Sequence, residues 1–390
     1  LSSAGERAEA TNTPLPYWRL SGFYFSYFAL LGGVAPFLAL YFESLGFSAA
    51  RIGELVAIPM LMRCLAPNLW GWLGDATGQR LLIVRFGALC TALSFAAIFY
   101  RQDYWWLAGV MALHSFFWHA ILPQFEAITL AHLREQASRY SQVRLWGSVG
   151  FIATVVLLGE VLERFGMMAY PRVLLVVMCA IVCCSLIIPP PPRITIQRTP
   201  GDGLWQQLRR PGVMAFFLCV ALMQLSHGPY YTFLTIHLED LGYSRGFIGL
   251  LWALGVLAEI VLFLLMRPLL ARCSLKTLLV VSFALASLRW VLLGSLADSL
   301  LTLLFAQCLH AATFGAFHVS AIHFVQHNFS ARLQGQGQAL YATLAGVGGA
   351  LGALYSGYVW DSLGAAWTFG IAALAALAGA IILALRLQRD

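Results

Sequence analysis

Glu43 to Leu55 reads ESLGFSAARIGEL, and Glu239 to Leu251 reads EDLGYSRGFIGLL. Leu-Gly, Ser, Ile-Gly and a closing Leu fall at matching places, at an offset of 196 in a chain of 390 residues. The same offset carries Leu113-His114 onto Leu309-His310 and Arg80 onto Lys276. Three separate matches at one offset near half the length indicate two homologous halves in tandem. The offset also carries Arg63 onto Glu259, so equivalent places in two apolar segments hold opposite charges.

Outward from these copies the chain is apolar: 60% of its residues are hydrophobic and 11% charged. Soluble domains carry about 25% charged residues. Apolar runs of roughly twenty residues, the length that spans about 30 Å of hydrocarbon, lie near 17–42, 50–73, 81–100, 104–130, 141–162, 168–188, 212–237, 246–267, 276–295, 299–325, 335–359 and 364–386. The expectation is an all-α membrane protein of twelve transmembrane helices, two six-helix bundles related by a pseudo-two-fold axis along the membrane normal. Residues 1–16 form a disordered tail, 17–188 the first bundle, 189–211 a Pro- and Arg-rich cytoplasmic linker and 212–386 the second bundle. The tail shows no signal-peptide pattern and begins at Leu, as a trimmed chain does.

Basic residues orient the helices, because cytoplasmic loops carry their excess. With the N-terminus inside, inner loops hold Arg80, Arg85, Arg134, Arg139, Arg144, Arg193, Arg198, Arg209, Arg210, Arg267, Arg272, Lys276 and Arg332, and outer loops only Arg51, Arg101, Arg164, Arg172 and Arg245. Both termini are then cytoplasmic. This bias accounts for the formal charge of +7 without a nucleic-acid partner. Seven of the eight cysteines fall in apolar runs, with no disulfide or zinc spacing, and read as packing residues. No metal or cofactor is expected.

Between the second and third runs lies GWLGDATGQR, Gly71 to Arg80. Its glycines permit a tight turn, and Asp75 can pair with an arginine or a helix N-terminus. It resembles the loop signature of the major facilitator superfamily, with Ala76 where that family usually has a basic residue. The resemblance implies that Gly71, Asp75, Gly78 and Arg80 form an inner gate. VRLWGSV from Val143 to Val149, LGVLAEIV from Leu254 to Val261 and LHAATF from Leu309 to Phe314 resemble the 3-phenylpropionic acid transporter group of that superfamily, which is related to the lactose permease. The resemblance implies a monomer in the bacterial inner membrane.

An ionic group at the bilayer centre costs roughly 3 kcal/mol or more, so each needs a partner or water. Arg63, Glu259 and Arg289 lie near mid-membrane by position along their helices. Each is either a cleft residue or a fixed counter-ion to another. An arginine in a cavity binds carboxylates bidentately. By the resemblance, Glu126 and Arg144 match the permease's sugar-holding pair, with Gly147 beside them, while Arg289 and His310 match its coupling site. Glu126 and Arg144 can equally be a salt bridge joining two helices. Where the permease has a proton-carrying glutamate this chain has Thr313, which leaves Glu259 as the candidate proton carrier, modulated by Arg289. Tyr24 and Tyr27 share a helix face, and Tyr230 and Tyr231 follow Gly228-Pro229, which loosens the seventh helix. With His114, equivalent to His310, these complete the candidate substrate-binding set. For His119, His318 and His323 hydrogen-bonded packing is the expected role. The glycines at 346, 348, 349, 352 and 357 read as close helix packing.

No GxxxxGK loop marks ATP as energy source, and no nucleophile–base pair marks an enzyme. The resemblance implies a proton-coupled symporter, the proton its coupling ion and a small organic anion such as an aromatic carboxylate its small-molecule partner. The alternatives are a neutral-sugar or nucleoside symporter, a drug/proton antiporter, or a receptor that no longer transports.

Overall fold

The computed structural model describes residues 15–133, 136, 139–191, 203–330 and 333–387. The tail to residue 14, the linker from 192 to 202 and Arg134, Arg193, Arg198 and Arg332 lie outside the described residues. The first half holds α1 (Tyr17–Ser44), α2 (Ala49–Thr77), α3 (Arg80–Ala96), α4 (Tyr104–Leu133), α5 (Tyr140–Phe165) and α6 (Tyr170–Ile187). In the second half α7 comes in two pieces, Pro211–Ser226 and Gly228–Asp240, followed by α8 (Arg245–Arg272) and α9 (Leu275–Ser295). α10 comprises Leu300–Cys308, a π-helical turn at Ala311–Ala316 and Phe317–Asn328. The helical stretch Gln334–Arg386 contains α11 and α12, which meet at Gly364, where φ is 76°.

Ten stretches among the described residues are long and apolar enough to cross a membrane. α2, which carries Arg51, Glu54, Arg63 and Asp75, and the division at Gly364 bring the number to the twelve expected. Leu157, Leu264, Leu301, Leu374 and Leu385 are each more than 60% exposed. A row of bare leucines is unstable in water and suited to lipid. The linker holds a short helix, Leu204–Leu208, bonded through Gln207 to the Asn328 carbonyl at the end of α10. The α10 break was not foreseen, since a π turn leaves no compositional mark.

The echoed stretch folds the same way twice. Gly46 (φ 83°) and Gly242 (φ 86°) end α1 and α7 in the left-handed region open to glycine. Ser48 and Ser244 then start α2 and α8 with extended backbone. One turn on, Gly53 and Gly249 touch the other half. A Cβ on Gly53 would lie 2.6 Å from the Ala353 carbonyl oxygen of α11, and one on Gly249 would lie 2.5 Å from the Val155 oxygen of α5. The α2–α11 and α5–α8 seams thus repeat each other by pseudo-symmetry.

Each seam is closed at this face by a carboxylate borrowed from the opposite half. The Ala49 amide at the start of α2 donates to Asp361 Oδ2 at 3.1 Å, and the equivalent Arg245 amide at the start of α8 donates to Glu163 Oε2 at 2.8 Å. Helix N-termini favour such anions. Tyr358 adds a bond to Glu54 at 2.5 Å, and Arg245 joins Glu239 at 2.5 Å and the Leu162 carbonyl at 3.1 Å. Every residue of α1 from Pro36 to Phe42 is buried, against the end of α7. Toward the face that carries both chain ends the halves part. Buried positions on α8 cluster from Ile248 to Gly255, and beyond them only Met266 is buried. There Arg63 of the first half and His318 of the second are exposed and within reach of each other's charge, so a water-reached cleft lies between the halves on this side.

At the terminus face, basic side chains answer exposed helix-end carbonyls. Arg85 of α3 donates to Ser185, Leu186 and Ile188 oxygens at the end of α6, all within 3.2 Å. Lys276 of α9 does the same for α12, at 2.6 Å to Ala384 and 2.7 Å to Leu387. The cation completes the carbonyls a helix end leaves unpaired.

Candidate functional site

Arg63 on α2 is exposed to solvent, yet its charge acts on Tyr27 of α1, His119 of α4, Tyr231 of α7, His318 of α10 and Tyr341 of α11. A side chain ringed by helices of both halves and still reached by water lines the cleft. It makes no ion pair among the described residues.

Arg144, on the first turns of α5, lies face-on over Phe28, its guanidinium carbon 3.8 Å from the ring centre. Gly147 makes the room, because a Cβ there would come 2.7 Å from Arg144 Nη1 and 2.8 Å from the Phe28 ring. Stacking fixes the guanidinium plane and leaves its in-plane N–H groups for a planar anion. Glu126 on α4 is close enough to feel Arg144 but forms no contact ion pair with it; it accepts from the Tyr140 hydroxyl at 3.3 Å. The salt bridge open to the sequence reading is thus not made.

On the facing wall Glu259 of α8 has 16% of its side chain exposed, with Oε2 3.8 Å from His310 Nε2. The arginine whose charge acts on Glu259 is Arg144, from the other half. Arg289, expected to modulate Glu259, is instead 0% exposed and engaged elsewhere. Its Nε donates to the Ala306 carbonyl at 2.9 Å, Nη1 to His310 Nδ1 and Thr313 Oγ1 at 3.1 Å, and Nη2 to Gln307 Oε1 at 3.1 Å. The Tyr230 ring lies 4.1 Å below it. Arginine only donates, so His310 Nδ1 accepts, and Nε2 carries the hydrogen that faces Glu259. Thr313, the departure from the permease pattern, is thereby one of the acceptors that hold Arg289.

The remaining expected residues divide. Tyr231 is half-buried within reach of the charges of Arg289, Glu259 and Arg63. Tyr24 is 0% exposed against Phe125, and Tyr27 gives its hydroxyl to the Trp118 carbonyl at 3.4 Å. His114 is buried beside the Thr91 carbonyl, 3.3 Å away on α3, facing its own bundle and not the two-fold axis. Tyr230 is 1% exposed beneath Arg289. The cleft thus collects Arg63, Glu126, Arg144, Tyr231 and Glu259, while Tyr24, Tyr27, His114, Tyr230, Arg289 and His310 stand inside its walls. In the turn after α2, Arg80 pairs with Asp75 and reaches Gln124 Oε1 at 2.6 Å, and Gln124 Nε2 bonds the Trp70 carbonyl at 3.1 Å. Gly78 takes φ 68°, while a Cβ added at Gly71 would meet nothing within 4 Å, so no close approach requires glycine there.

Sequence reading assigned His318 to packing and passed over Tyr341 and Tyr140. His318 is exposed in the cleft, with Nδ1 2.8 Å from the Tyr341 hydroxyl. The available signal was spacing, since His310, Phe314 and His318 recur every four residues and share a helix face.

Known proteins resemble this chain along its length. It is 29% identical over 369 residues to the "Probable 3-phenylpropionic acid transporter" of Escherichia coli (strain K12), covering 91% of this chain and 94% of that one. It is 26% identical to the maltose permease of Geobacillus stearothermophilus, with 94% of each covered. Among solved structures, the nucleoside transporter NupG superposes with a TM-score of 0.84 at 19% identity, over 96% of this chain and 99% of that one. The POT family transporter PepTSo superposes at 0.76 and 13% identity, over 95% and 97%. The MFS_1 like family profile matches residues 17–371, the span that holds the first bundle, the second as far as the first turns of α12, and the charges of the cleft. The chain belongs to that family, as a multi-pass membrane transporter of the major facilitator type and not an enzyme.

Proposed function

We propose that the chain imports a small organic anion, an aromatic carboxylate of the phenylpropanoate kind, together with a proton. The observation that carries this reading is the pair of guanidiniums, Arg63 and Arg144, that face a wet cleft without a contact carboxylate. A substrate carboxylate supplies the missing partner through charge-assisted hydrogen bonds. Phe28 beneath Arg144 and Tyr231 opposite supply apolar surface for a ring. The E. coli relative named for 3-phenylpropionic acid supports the same class.

Coupling follows from the seam. Arg144 in one half provides the positive charge that acts on Glu259 in the other. An anion seated on Arg144 withdraws that charge from Glu259, and the carboxylate is then neutralised by a proton instead. Anion and proton load together, and by linkage each favours the other. With its charges cancelled, the cleft can close at the terminus face while the carboxylate caps on α2 and α8 release the opposite face. The positive-inside bias makes the terminus face cytoplasmic, so this structure is open inward. The protein works as a monomer in a bacterial inner membrane, with the proton as coupling ion.

Uptake of 3-phenylpropanoate into proteoliposomes, with and without an inward proton gradient, tests the reading. The gradient should drive accumulation, and Glu259→Gln should abolish that drive while anion exchange persists. Gradient-driven uptake that survives Glu259→Gln would overturn the coupling. A neutral sugar is the second reading, favoured by the likeness to maltose permease. Uptake of maltose that carboxylates fail to inhibit would establish it instead.

A further inference from the structure

On the C-terminal wall of the cleft His310, Phe314 and His318 lie with their ring planes parallel. His310 and Phe314 are 5.2 Å apart at 9°, and Phe314 and His318 are 6.3 Å apart at 9°. The lower ring differs from the upper in what it can still bind. His310 is spent on Arg289 and Glu259. His318 uses Nδ1 on the Tyr341 hydroxyl at 2.8 Å, and its Nε2 has no protein partner among the described residues. Tyr341 is 7% exposed, so the hydroxyl that orients the imidazole is itself fixed. His318 is exposed, and the charges of Arg63 and Arg144 both act on it from the opposite half. An exposed imidazole therefore keeps Nε2 without a protein partner, within reach of the charges of two guanidiniums on the opposite half.

We infer that the His318–Tyr341 pair is a specificity-determining arm that takes a hydroxyl on the ring of the transported anion. This rests on the aromatic-carboxylate reading and deepens it. If Tyr341 donates to Nδ1, Nε2 presents N–H; if Nδ1 donates to Tyr341, Nε2 presents a lone pair. A hydroxyl, both donor and acceptor, satisfies either tautomer. An unsubstituted ring leaves Nε2 desolvated without a partner, which lowers affinity. The bound ligand spans the seam, its carboxylate on Arg63 and Arg144 and its hydroxyl on His318, so it joins the two halves as the cleft closes.

The test compares uptake of 3-phenylpropanoate with that of its 3-hydroxyphenyl and 4-hydroxyphenyl counterparts. In the unaltered protein at least one hydroxylated acid should have a KM about ten-fold below that of the unsubstituted acid. His318→Phe keeps the stack on Phe314 but loses Nε2, and should collapse that ratio toward one. Tyr341→Phe keeps His318 but frees its ring, and should erode the ratio with a smaller change in maximal rate. A ratio near one in the unaltered protein, or a ratio unmoved by both substitutions, overturns the inference while leaving the transport of aromatic acids standing. Uptake of none of the three acids overturns the broader reading, and this inference with it.

Discussion

Arg289 and the pair Arg63 and Arg144 are the same residue type within the same membrane, and they stand in opposite circumstances. Arg289 is 0% exposed, donates to a carbonyl, an imidazole, a hydroxyl and an amide oxygen, and rests on Tyr230. Arg63 and Arg144 meet water and have no contact carboxylate. What separates a structural charge from a binding charge here is hydrogen-bond saturation. A guanidinium whose donors are filled has nothing to offer a ligand, and one with open donors does, whether exposed like Arg63 or laid over a ring like Arg144.

The widest break in that comparison comes from removing Arg289. Arg289→Gln leaves the His310, Thr313 and Gln307 acceptors buried without their donor, at a cost of about 1–3 kcal/mol for each one left unsatisfied. Loss of folded yield and a large fall in the thermal unfolding midpoint in detergent are expected. Arg63→Gln in the same assay should move the midpoint by only about 2 °C, since exposed charges contribute little to stability. Equal falls in the two variants would erase the distinction.

Arg144→Lys sharpens the other side. Lysine keeps the charge but loses the flat stack on Phe28 and the two-toothed grip on a carboxylate. Losing about 1.5–3 kcal/mol of charged hydrogen bonding should raise the KM for an aromatic acid by about ten- to a hundred-fold. The unfolding midpoint should hold. A KM unaffected by Lys would mean that Arg144 contributes only a field, and the carboxylate would then belong to Arg63 alone.

The spans and the duplication were legible because apolar run length and a fixed offset are properties of the chain itself. The echoed stretch also contains Gly53 and Gly249, whose place on the seams the structure reveals and the repeat alone did not. The fate of each arginine was not legible. Position along a helix gives depth, and it does not say whether Gln307 and Thr313 will arrive on the same side. Both bond Arg289, Gln307 from the helix before the π turn at Ala311–Ala316 and Thr313 from within that turn. His318 makes the hydrogen bond and the ring stack expected of a packing histidine, and its exposure was not legible for a related reason: whether an α10 histidine meets water depends on how far the halves stand apart.

The smallest effect concerns the two borrowed carboxylates, and it asks whether the halves move as rigid bodies. Asp361 meets the first amide of α2 and Glu163 that of α8, one from each half. Glu163→Gln removes the charge but keeps an oxygen to accept the bond, at a cost of about 0.3–1 kcal/mol. Amide hydrogen exchange at the start of α8 should then quicken about two- to five-fold, in proportion to that energy. The decisive reading is at the start of α2, on the other seam. If the opposite face opens as one unit, exchange there quickens as well although Asp361 is untouched, and Asp361→Asn produces the same pair of changes. Exchange confined to α8 would show that the seams loosen separately, and that closing the cleft at one face need not release both caps at the other.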